Sequence, residues 1–403
     1  MAAAGDVPVH VLYPLADEFL TDRPEESGAP GIRNSEREGK IMPKVSVVVP
    51  VYNVSAYLRE CMDSLVRQTL RDIEIICVND GSTDNSPEIL REYAEADSRI
   101  ILVDQENGGY GKAMNAGIDR AAGSYLGIVE PDDYVRLTMF EDLYLAAEEN
   151  GLDLVKADYD RFTTGENGET RTFRRTHLSP READYGRVFK PTEEKESFFF
   201  VMNTWAGIYR LSFLKEHGIR HHETPGASFQ DNGFWFQTFL YAERAMILNM
   251  PYYCVRRDNP NSSVKNPGKV YAMNREYDYI RELLEKDPKV WEDMKQVYWR
   301  QRILNCGATL NRIAPELRED YLETVSGEIR TAVSAGEFSL KECPPAEKRQ
   351  AEELMNKEFT PLPPETDEAT KLRNSRAYRV GSAVVWLPEK IIRAVRAAGG
   401  KGK

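Results

Sequence analysis

The chain has 403 residues, of which 29% are charged and 41% hydrophobic, the balance of an ordinary soluble globular protein with room for more than one structural unit. Its net charge of −12 argues against general nucleic-acid binding, which depends on a basic surface. The five cysteines are widely spaced and form no C-x-x-C pair, so a disulfide framework and a zinc site are both disfavoured.

The sequence also argues against a membrane-spanning or secreted protein. No apolar run approaches the roughly 20 residues that cross a bilayer, and the N-terminus lacks the charged and apolar blocks of a signal peptide. We therefore expect the bulk of the chain to be cytoplasmic. Residues 1–43 form a weakly patterned lead and linker, to which we assign no chemistry.

Four short apolar runs, each ending in a polar cluster, organise residues 44–150. Helical sequence lies between the runs, which cover residues 45–49, 73–78, 100–103 and 125–129. Strands alternating with helices predict a parallel sheet with helices on both faces, and ligands of such sheets bind at the carboxyl ends of the strands. We therefore expect the polar clusters to converge on one cleft.

The helices between these strands have readable start signals. Apolar spacing predicts a helix over residues 55–69, and Ser86 followed by proline predicts an N-cap and the first helical position of the next helix. Gly108 and Gly109 allow a tight turn before a third helix, but they make neither a G-x-G-x-x-G nor a Walker A loop. Near that helix start, Lys112 is a candidate for a diphosphate contact.

Four motifs then follow one another along the chain: VSVVVPVYN at 45–53, NDGSTD at 79–84, NGG at 107–109 with NAG at 115–117, and EPDD at 130–133. In this order and spacing they resemble glycosyltransferase family 2, over about residues 44–265. The resemblance implies a GT-A fold with a nucleotide-binding half and an acceptor-binding half. It also implies a nucleotide-sugar donor, a divalent metal and inversion at the anomeric carbon.

The resemblance places the donor base at Asp80. A carboxylate at the end of the second strand can accept a hydrogen bond from the imide N–H of uracil. The alternative is an aspartate that only orders its own turn, because DGSTD is turn-forming sequence, and the other motifs make us favour the base contact. The predicted donor site also includes Pro50, Tyr52, Asn53, Asn107 and Gly109.

Glu130 and Asp132 stand in place of the Asp-x-Asp of the family. Two carboxylates one residue apart at a strand end can share Mg²⁺ or Mn²⁺, which also bridges the donor diphosphate. We assign Asp132 as the direct metal ligand and Glu130 as a donor contact that acts through water or on the ribose. A solvated acidic turn is the alternative, and Asp133 is a second candidate.

The acceptor-binding half, residues 151–268, is less regular. We predict a strand over 152–157, then a polar, loop-rich stretch over 159–190 that is either a functional lid or poorly ordered. An aromatic-rich stretch from 198 to 209 reads as core, with Trp205 as the residue that faces the acceptor.

The second chemical stretch is Gln230-Asp231. Family members commonly carry Glu-Asp there with the Asp as general base, so we predict Asp231 as the catalytic base and leave the role of the first position open. Asp231 also suits the N-cap of a helix over 232–242, a compatible role. His221 and His222 have no third ligand at metal spacing, and we take His222 as an acceptor contact.

Arg256 resembles the arginine of the Tyr-x-x-Arg segment that closes family catalytic domains. Its planar guanidinium suits a diphosphate, with Arg257 as the competing residue and a structural ion pair as the alternative role. Residues 269–370 are predicted as a helical region and linker that shape the acceptor site or a homodimer contact. The tail, residues 371–403, carries nine basic residues against one acidic residue and an apolar side with Trp386. It predicts peripheral contact with an anionic membrane, with docking on the acidic body of the chain as the alternative.

The sequence thus predicts an α/β protein with a GT-A, Rossmann-like, mostly parallel sheet flanked by helices, and a C-terminal helical appendage. The predicted function is a metal-dependent inverting transferase that uses a UDP-type sugar and a glycan or lipid-linked acceptor. A catalytically inactive nucleotide-sugar-binding or scaffold protein is one alternative. A nucleotidyltransferase is the other, although it needs a basic, glycine-rich loop after the first strand, where this chain has PVYN at 50–53.

Overall fold

A computed structural model describes residues 42–165, 171–227, 229–260, 267 and 269–360. Strands and helices alternate in its first part, and each of the four predicted strands begins at the predicted residue. The elements are β1 (Val45–Val51), α1 (Ser55–Val66), β2 (Ile73–Asp80), α2 (Ser86–Ala96), β3 (Ile100–Gln105), α3 (Tyr110–Arg120) and β4 (Tyr125–Ile128).

The next part of the chain mixes short and long strands with three helices. Its elements are β5 (Tyr134–Val135), α4 (Met139–Asn150), β6 (Leu154–Thr164), β7 (Arg171–Thr176), β8 (Gly207–Arg210), α5 (Leu211–Glu216), α6 (Asp231–Tyr241) and β9 (Ala245–Arg256). The described strands form one sheet in the order β3-β2-β1-β4-β8-β6-β9-β5, with β7 paired to β6.

The predicted α/β fold is confirmed, and the sheet changes character beyond β4. Strands β3, β2, β1 and β4 are parallel, and helices α1, α2 and α3 form the crossover connections from β1 to β2, from β2 to β3 and from β3 to β4. All seven residues of β1 are buried, as expected for a central parallel strand covered on both faces. Beyond β4 the sheet is mixed, since β8 lies antiparallel to both β4 and β6 whereas β9 lies parallel to β6.

The stretch predicted as a polar loop over 159–190 contains a hairpin arm, and that prediction is wrong. Strand β6 continues to Thr164 and pairs antiparallel with β7, from Tyr159 opposite Thr176 to Thr164 opposite Arg171. Polar residues stand on exposed faces of this edge of the sheet, and two arginines of β7 make ion pairs with other elements. Ion-paired strand sequence is polar enough to be mistaken for a loop.

The predicted N-cap at Ser86 is also wrong, because the side chain of Asp84 accepts the hydrogen bond at the start of the helix. Helix α2 begins at Ser86, and the Asp84 carboxylate accepts the backbone N–H of Ser86 at 2.9 Å. Its other oxygen accepts the N–H of Ser55, the first residue of α1, also at 2.9 Å. The hydroxyl of Ser86 instead accepts the N–H of Val54. One carboxylate therefore fixes the starts of two helices.

A helical appendage follows the sheet, as predicted: α7 (Ala272–Glu285), α8 (Pro288–Arg312), α9 (Arg318–Ser334) and α10 (Pro345–Asn356). Buried Arg302 of α8 ties it to the neighbouring helices through Asp278 and Glu328. None of the described helices combines the length and apolar character that crossing a bilayer requires. The predicted lead, except for residues 42 and 43, and the predicted basic tail lie outside the described residues.

Candidate active site

The carboxyl ends of β2, β1 and β4 lie side by side, because these strands are parallel neighbours. Asp80 ends β2, the segment of Tyr52 and Asn53 follows β1, and Glu130 and Asp132 follow β4. Residues that are far apart in the sequence are thereby brought to one edge of the sheet, as the strand pattern predicts.

Asp80 is buried and holds the turn before α3. One carboxylate oxygen accepts from the Gln105 side chain at 2.7 Å and from the N–H of Gly108 at 2.8 Å, and the other accepts the N–H of Gly109 at 2.9 Å. Asn107 donates its side-chain amide to the Asp80 carbonyl. The turn-ordering role is therefore present. A carboxylate has about four acceptor positions, so the base contact is compatible with these bonds and stays a prediction.

Gly109 packs against the loop of residues 224–226. Its φ of 88° and ψ of 165° fall in a region that is essentially restricted to glycine. A Cβ atom there would lie 2.6 Å from the backbone nitrogen of Gly226 and 2.7 Å from the carbonyl oxygen of Thr224. The N–H of Tyr110 donates to the carbonyl of Gly226. The glycine is thus required both by conformation and by space.

Gln230 fixes that loop, which gives a role to the position where the family commonly has Glu. Its side-chain amide donates to the hydroxyl of Thr224 at 2.8 Å and to the carbonyl of Gly226 at 2.9 Å. A carboxylate has no hydrogen to donate to these oxygens when it is ionised. The amide therefore suits a residue that holds residues 224–226 against Gly109.

We expect Gly109→Ala to weaken donor binding and to lower the free energy of unfolding by about 1–3 kcal/mol for the backbone strain alone. Gly186→Ala is the matched control, because Gly186 also has positive φ (67°) but no atom within 4 Å of its added Cβ. Thermal unfolding and titration calorimetry with a nucleotide-sugar measure both effects. Equal donor affinity in the two variants would show that the Gly109 contact does not shape the donor site.

Tyr52, Asn53 and Lys112 are exposed members of the predicted donor site. The Tyr52 side chain is 52% exposed. Asn53 has a φ of 49°, and its side-chain oxygen accepts the N–H of Thr83 at 2.7 Å, which joins the ends of β1 and β2. Lys112 is exposed on the first turn of α3, and its stem packs over Gly108. Pro50 lies within β1 and is buried, and its donor contact stays a prediction.

Glu130 is held by two tyrosines that the sequence does not single out. Its side chain accepts the hydroxyl of Tyr110 at 2.7 Å, and its backbone N–H donates to the hydroxyl of Tyr253 at 2.9 Å. Burial, together with the charges of Asp132 and Asp231, raises the pKa of Glu130 to about 8. The charge of Asp231 therefore acts on Glu130.

Asp132 and Asp133 have different surroundings although they are adjacent. Asp132 is half-buried, and one of its oxygens accepts the side-chain amide of Asn259 at 2.8 Å. Asp133 is buried and accepts the backbone N–H of Arg256 at 2.7 Å. Burial raises the pKa of Asp133 well above its usual value, and the neighbouring Asp132 adds to the effect. Asp132 is the more open of the two to a ligand.

The carboxylates at the end of β4 fit a hard divalent cation as a partial ligand set. They are oxygen donors, and the crowding of Glu130, Asp132 and Asp133 favours a positive charge beside them. Among the described residues, no group of three or more His, Cys, Asp or Glu side chains converges as a metal cage. Mg²⁺ commonly binds through one or two carboxylates plus substrate phosphates, so such a set suffices when a diphosphate is bound.

Arg256 lies in a structural ion-pair network. Its guanidinium pairs with Glu60 of α1 at 2.5 Å and with Asp258 at 3.3 Å, and it lies over the ring of Tyr57. Its Nε also donates to the backbone oxygen of Asp132. This geometry favours the ion-pair alternative, in which Arg256 supports the turn that contains Asp132, and the diphosphate contact stays a prediction.

Asp231 is the first residue of α6, and its side chain makes no N-cap bond to that helix, so the N-cap prediction is wrong. Burial raises its pKa above the usual value. Its charge also raises the pKa values of Glu130, Tyr110, Tyr209 and Glu276, so all four lie within its electrostatic reach. A carboxylate with a raised pKa, close to the cleft, has the property required of a general base at neutral pH.

The two predicted acceptor residues are both held by aromatic rings. Trp205 is half-buried, with its ring 4.3 Å from that of Tyr253 and 4.7 Å from that of Tyr159. His222 stacks on Tyr279 with ring centroids 4.2 Å apart, and its Nδ1 lies 3.0 Å from Glu276. The structure therefore gives each residue a packing role, and their acceptor contacts stay predictions.

Comparison with known proteins decides the family. Residues 46–215 match the model of "Glycosyl transferase family 2". The uncharacterized glycosyltransferase YibD of Escherichia coli K12 is 34% identical over 261 residues, which cover 63% of this chain and 74% of that protein. The chain belongs to glycosyltransferase family 2.

A further relative and a solved structure are also similar to the chain. The uncharacterized glycosyltransferase EpsJ of Bacillus subtilis 168 is 38% identical over 235 residues, which cover 57% of this chain and just under two thirds (65%) of that protein. The crystal structure of S. aureus TarS 1-349 in complex with UDP-GlcNAc has a TM-score of 0.57 and 18% identity, and the match covers 78% of this chain and 88% of that one. At that identity the likeness confirms the GT-A fold alone.

Several residues of the family 2 site are not singled out by sequence reasoning. Gln105 supports Asp80, Tyr110 binds Glu130, and Asn259 binds Asp132. The only local signals for a role of Gln105 and Tyr110 are that Gln105 lies at a strand end and that Tyr110 follows a glycine turn. Asn259 lies 127 positions after its partner, and no local pattern connects them.

Proposed function

We propose that the chain is a metal-dependent inverting glycosyltransferase that moves a sugar from a UDP-type nucleotide-sugar to a hydroxyl of a glycan or lipid-linked acceptor. The observation that carries the proposal is the arrangement of carboxylates at one sheet edge, where Asp80 ends β2 and Glu130 and Asp132 follow β4. Asp231 begins α6 directly after Gln230, which holds residues 224–226 against Gly109. Membership of family 2 supports the reaction class. The UDP-GlcNAc complex of the fold neighbour TarS supports a UDP donor.

Donor binding is assigned to the ends of β1, β2 and β4. Asp80 accepts from the uracil imide while it holds Gly108 and Gly109, and the exposed ring of Tyr52 covers the base from the open side. Lys112 faces the diphosphate from the start of α3, where the helix dipole also favours negative charge. Asp132, with Glu130 beside it, would hold Mg²⁺ or Mn²⁺, which when bound neutralises charge on the diphosphate leaving group.

Asp231 accepts the proton of the acceptor hydroxyl. The hydroxyl oxygen forms a bond to the anomeric carbon from the face opposite the diphosphate, and the bond from that carbon to the diphosphate oxygen breaks. The sugar is transferred with inversion, the proton rests on Asp231, and the nucleoside diphosphate leaves. The raised pKa of Asp231 supports this role, since a base is most effective when its pKa approaches the working pH.

The remaining proposals concern location and partners. A cytoplasmic location and a peripheral membrane contact through residues 371–403 rest on the sequence alone, as does a homodimer contact through the helical region. An inactive nucleotide-sugar-binding or scaffold protein is the main competing function. A nucleotidyltransferase is disfavoured, because the segment after β1 carries Tyr52 and Asn53 rather than a basic, glycine-rich loop.

The experiment is a thermal-shift panel of UDP-, GDP- and dTDP-sugars with and without Mn²⁺. A ligand at 100 times its Kd stabilises the folded form by about 2.7 kcal/mol, and we expect a UDP-sugar to do so only with the metal. Hydrolysis of that donor is then measured. Binding without hydrolysis or transfer would support the inactive binding protein, and no shift from any nucleotide-sugar would overturn the proposed function.

A further inference from the structure

Helix α6, which begins with Asp231, obtains a cap from the helical appendage. The first N–H groups of a helix have no partner within it and need acceptors from elsewhere. The residue before α6, Gln230, makes no side-chain cap to it. The N–H of Gly233 donates instead to the Oε1 atom of Glu276 at 3.0 Å, and Glu276 lies on α7, 43 positions later.

The glycine at position 233 is what allows this contact. A Cβ atom there would lie 2.2 Å from Oε1 of Glu276 and 3.2 Å from Cδ1 of Tyr279. Glycine inside a helix costs about 1 kcal/mol relative to alanine, so its presence in the first turn of α6 needs a compensating reason. The close approach of the Glu276 carboxyl is such a reason.

The other oxygen of Glu276 reaches the loop that borders α3. Its Oε2 atom lies 3.0 Å from Nδ1 of His222, and Tyr279, one turn further on α7, stacks on the same ring. Asn115 of α3 bonds to the backbone of His221 through both its oxygen and its nitrogen. Glu276 is 1% exposed and therefore joins α6, the 221–223 loop and α7 in the interior.

The charge state of this cluster follows from its burial. Burial raises the pKa of Glu276 to about 8, with the charge of Asp231 adding to it, and burial lowers the pKa of His222. The groups that face Glu276 are Asp231, His222 and Tyr279, while Glu282 and Arg275 act on His222. The raised pKa of Glu276 favours its neutral acid, which accepts the N–H of Gly233 through Oε1 and can donate to Nδ1 of His222 through Oε2.

We propose that Glu276 is a positioning residue for the transfer reaction: from the appendage, it clamps the first turn of α6 and so holds Asp231 at the acceptor hydroxyl. The proposal rests on the proposed function, because it takes Asp231 as the base. It makes the helical appendage part of the active-site support, a role that no motif of residues 269–370 indicates.

The first test compares Glu276→Ala, Glu276→Gln and Gly233→Ala by donor hydrolysis at pH 7, with the panel member that gives the largest thermal shift. Glutamine has the shape and hydrogen bonds of the neutral acid, so we expect Glu276→Gln to stay within about threefold of wild type. Glu276→Ala and Gly233→Ala misplace the base and should lower kcat on the order of 10- to 100-fold, with donor KM unchanged. Gly327→Ala in α9, whose Cβ would meet nothing within 4 Å, is the control.

The pH profile separates the neutral clamp from a general loss of stability. In the wild type, ionisation of Glu276 above pH 8 removes the proton that it donates to His222, whereas the amide of Glu276→Gln keeps this bond, so kcat should fall there more steeply than in Glu276→Gln. The stability of the wild type should also fall as pH rises. The pKa of Glu276 is higher in the folded protein than in the unfolded chain, so the contribution of Glu276 to folding stability is fully present below about pH 4.5 and is lost as pH rises through 8. Glu130 titrates in the wild type and in Glu276→Gln alike, so its effect on kcat cancels when the two pH profiles are compared.

Hydrogen exchange of the first turn of α6 tests the clamp without activity. The Gly233 amide should exchange at least about tenfold faster in Glu276→Ala than in Glu276→Gln, because only the alanine variant lacks the acceptor. Equal exchange, or wild-type kcat in Glu276→Ala, would overturn the proposal. Wild-type hydrolysis by Asp231→Asn would instead overturn the base assignment, while the exchange result would still decide whether the clamp exists.

Discussion

Asp231→Asn should lower sugar transfer by about 10² to 10⁴ while the protein stays folded and binds its donor. The range is what general-base catalysis commonly contributes, and the amide of asparagine cannot take the proton of the acceptor hydroxyl. Asparagine keeps the size of aspartate, and Asp231 makes no side-chain cap to α6, so little stability is at stake. Turnover, melting temperature and donor affinity are measured on one sample with the donor that the panel identifies.

A matched control distinguishes a lost base from a disturbed helix. Asp287 is an N-cap, since its side chain accepts the N–H of Lys289 at 2.8 Å at the start of α8. Asp287→Ala should cost about 1 kcal/mol of stability and leave turnover of the folded protein intact. If Asp231→Asn behaves like this control, Asp231 is not the base, and Asp133 and His222 become the next candidates.

Asp132→Asn should abolish the effect of Mn²⁺ on donor affinity, with the affinity in the presence of Mn²⁺ falling at least about tenfold. Loss of groups that merely support a metal ligand typically costs 10- to 100-fold, so loss of the ligand itself should cost no less. Glu130→Gln should be milder, because the glutamine oxygen can still accept the hydroxyl of Tyr110. Titration calorimetry of donor with and without Mn²⁺ measures both variants.

The control for this pair is Asp72→Asn. Asp72 precedes β2 at the opposite edge of the sheet, where its half-exposed carboxylate pairs with Lys44. Removal of its charge should leave donor affinity and the Mn²⁺ effect unchanged. An Asp132→Asn protein with the wild-type response to Mn²⁺ would remove Asp132 from the metal site and leave Asp133 as the remaining candidate.

The nucleotide-binding half is readable from the sequence because its signals are local. An apolar run gives each parallel strand, and the polar cluster after it gives the strand end, so β1 to β4 begin at the predicted residues. The motif residues Asp80, Glu130 and Asp132 come together for the same reason: parallel neighbours present their carboxyl ends at one edge. For β1 to β4 and the residues at their ends, the local sequence pattern and the parallel topology are enough for the prediction.

The acceptor-binding half is less readable because its strands carry charges that are neutralised elsewhere. Strand β7 is predicted as loop, since Arg171 and Arg175 look like solvated residues until Glu60 and Asp158 are placed beside them. Arg256 has the same ambiguity, and its partner Glu60 lies 196 positions earlier. Sequence spacing carries no information about such pairs, because they form only when separate elements pack.

By itself, the sequence determined the α/β fold, the family and the carboxylates that face the cleft, since these follow from periodicity and from motifs of a few residues. Only the tertiary structure decided what supports them. It showed that Gln230 holds the loop against Gly109, that Asp84 starts two helices, and that Glu276 caps the helix of Asp231. The bonds of Asp84 to Ser55 and of Glu276 to Gly233 join residues 29 and 43 positions apart, and packing rather than local sequence decides such partners. The Gln230 bonds are local, but only packing places the loop that they hold against Gly109.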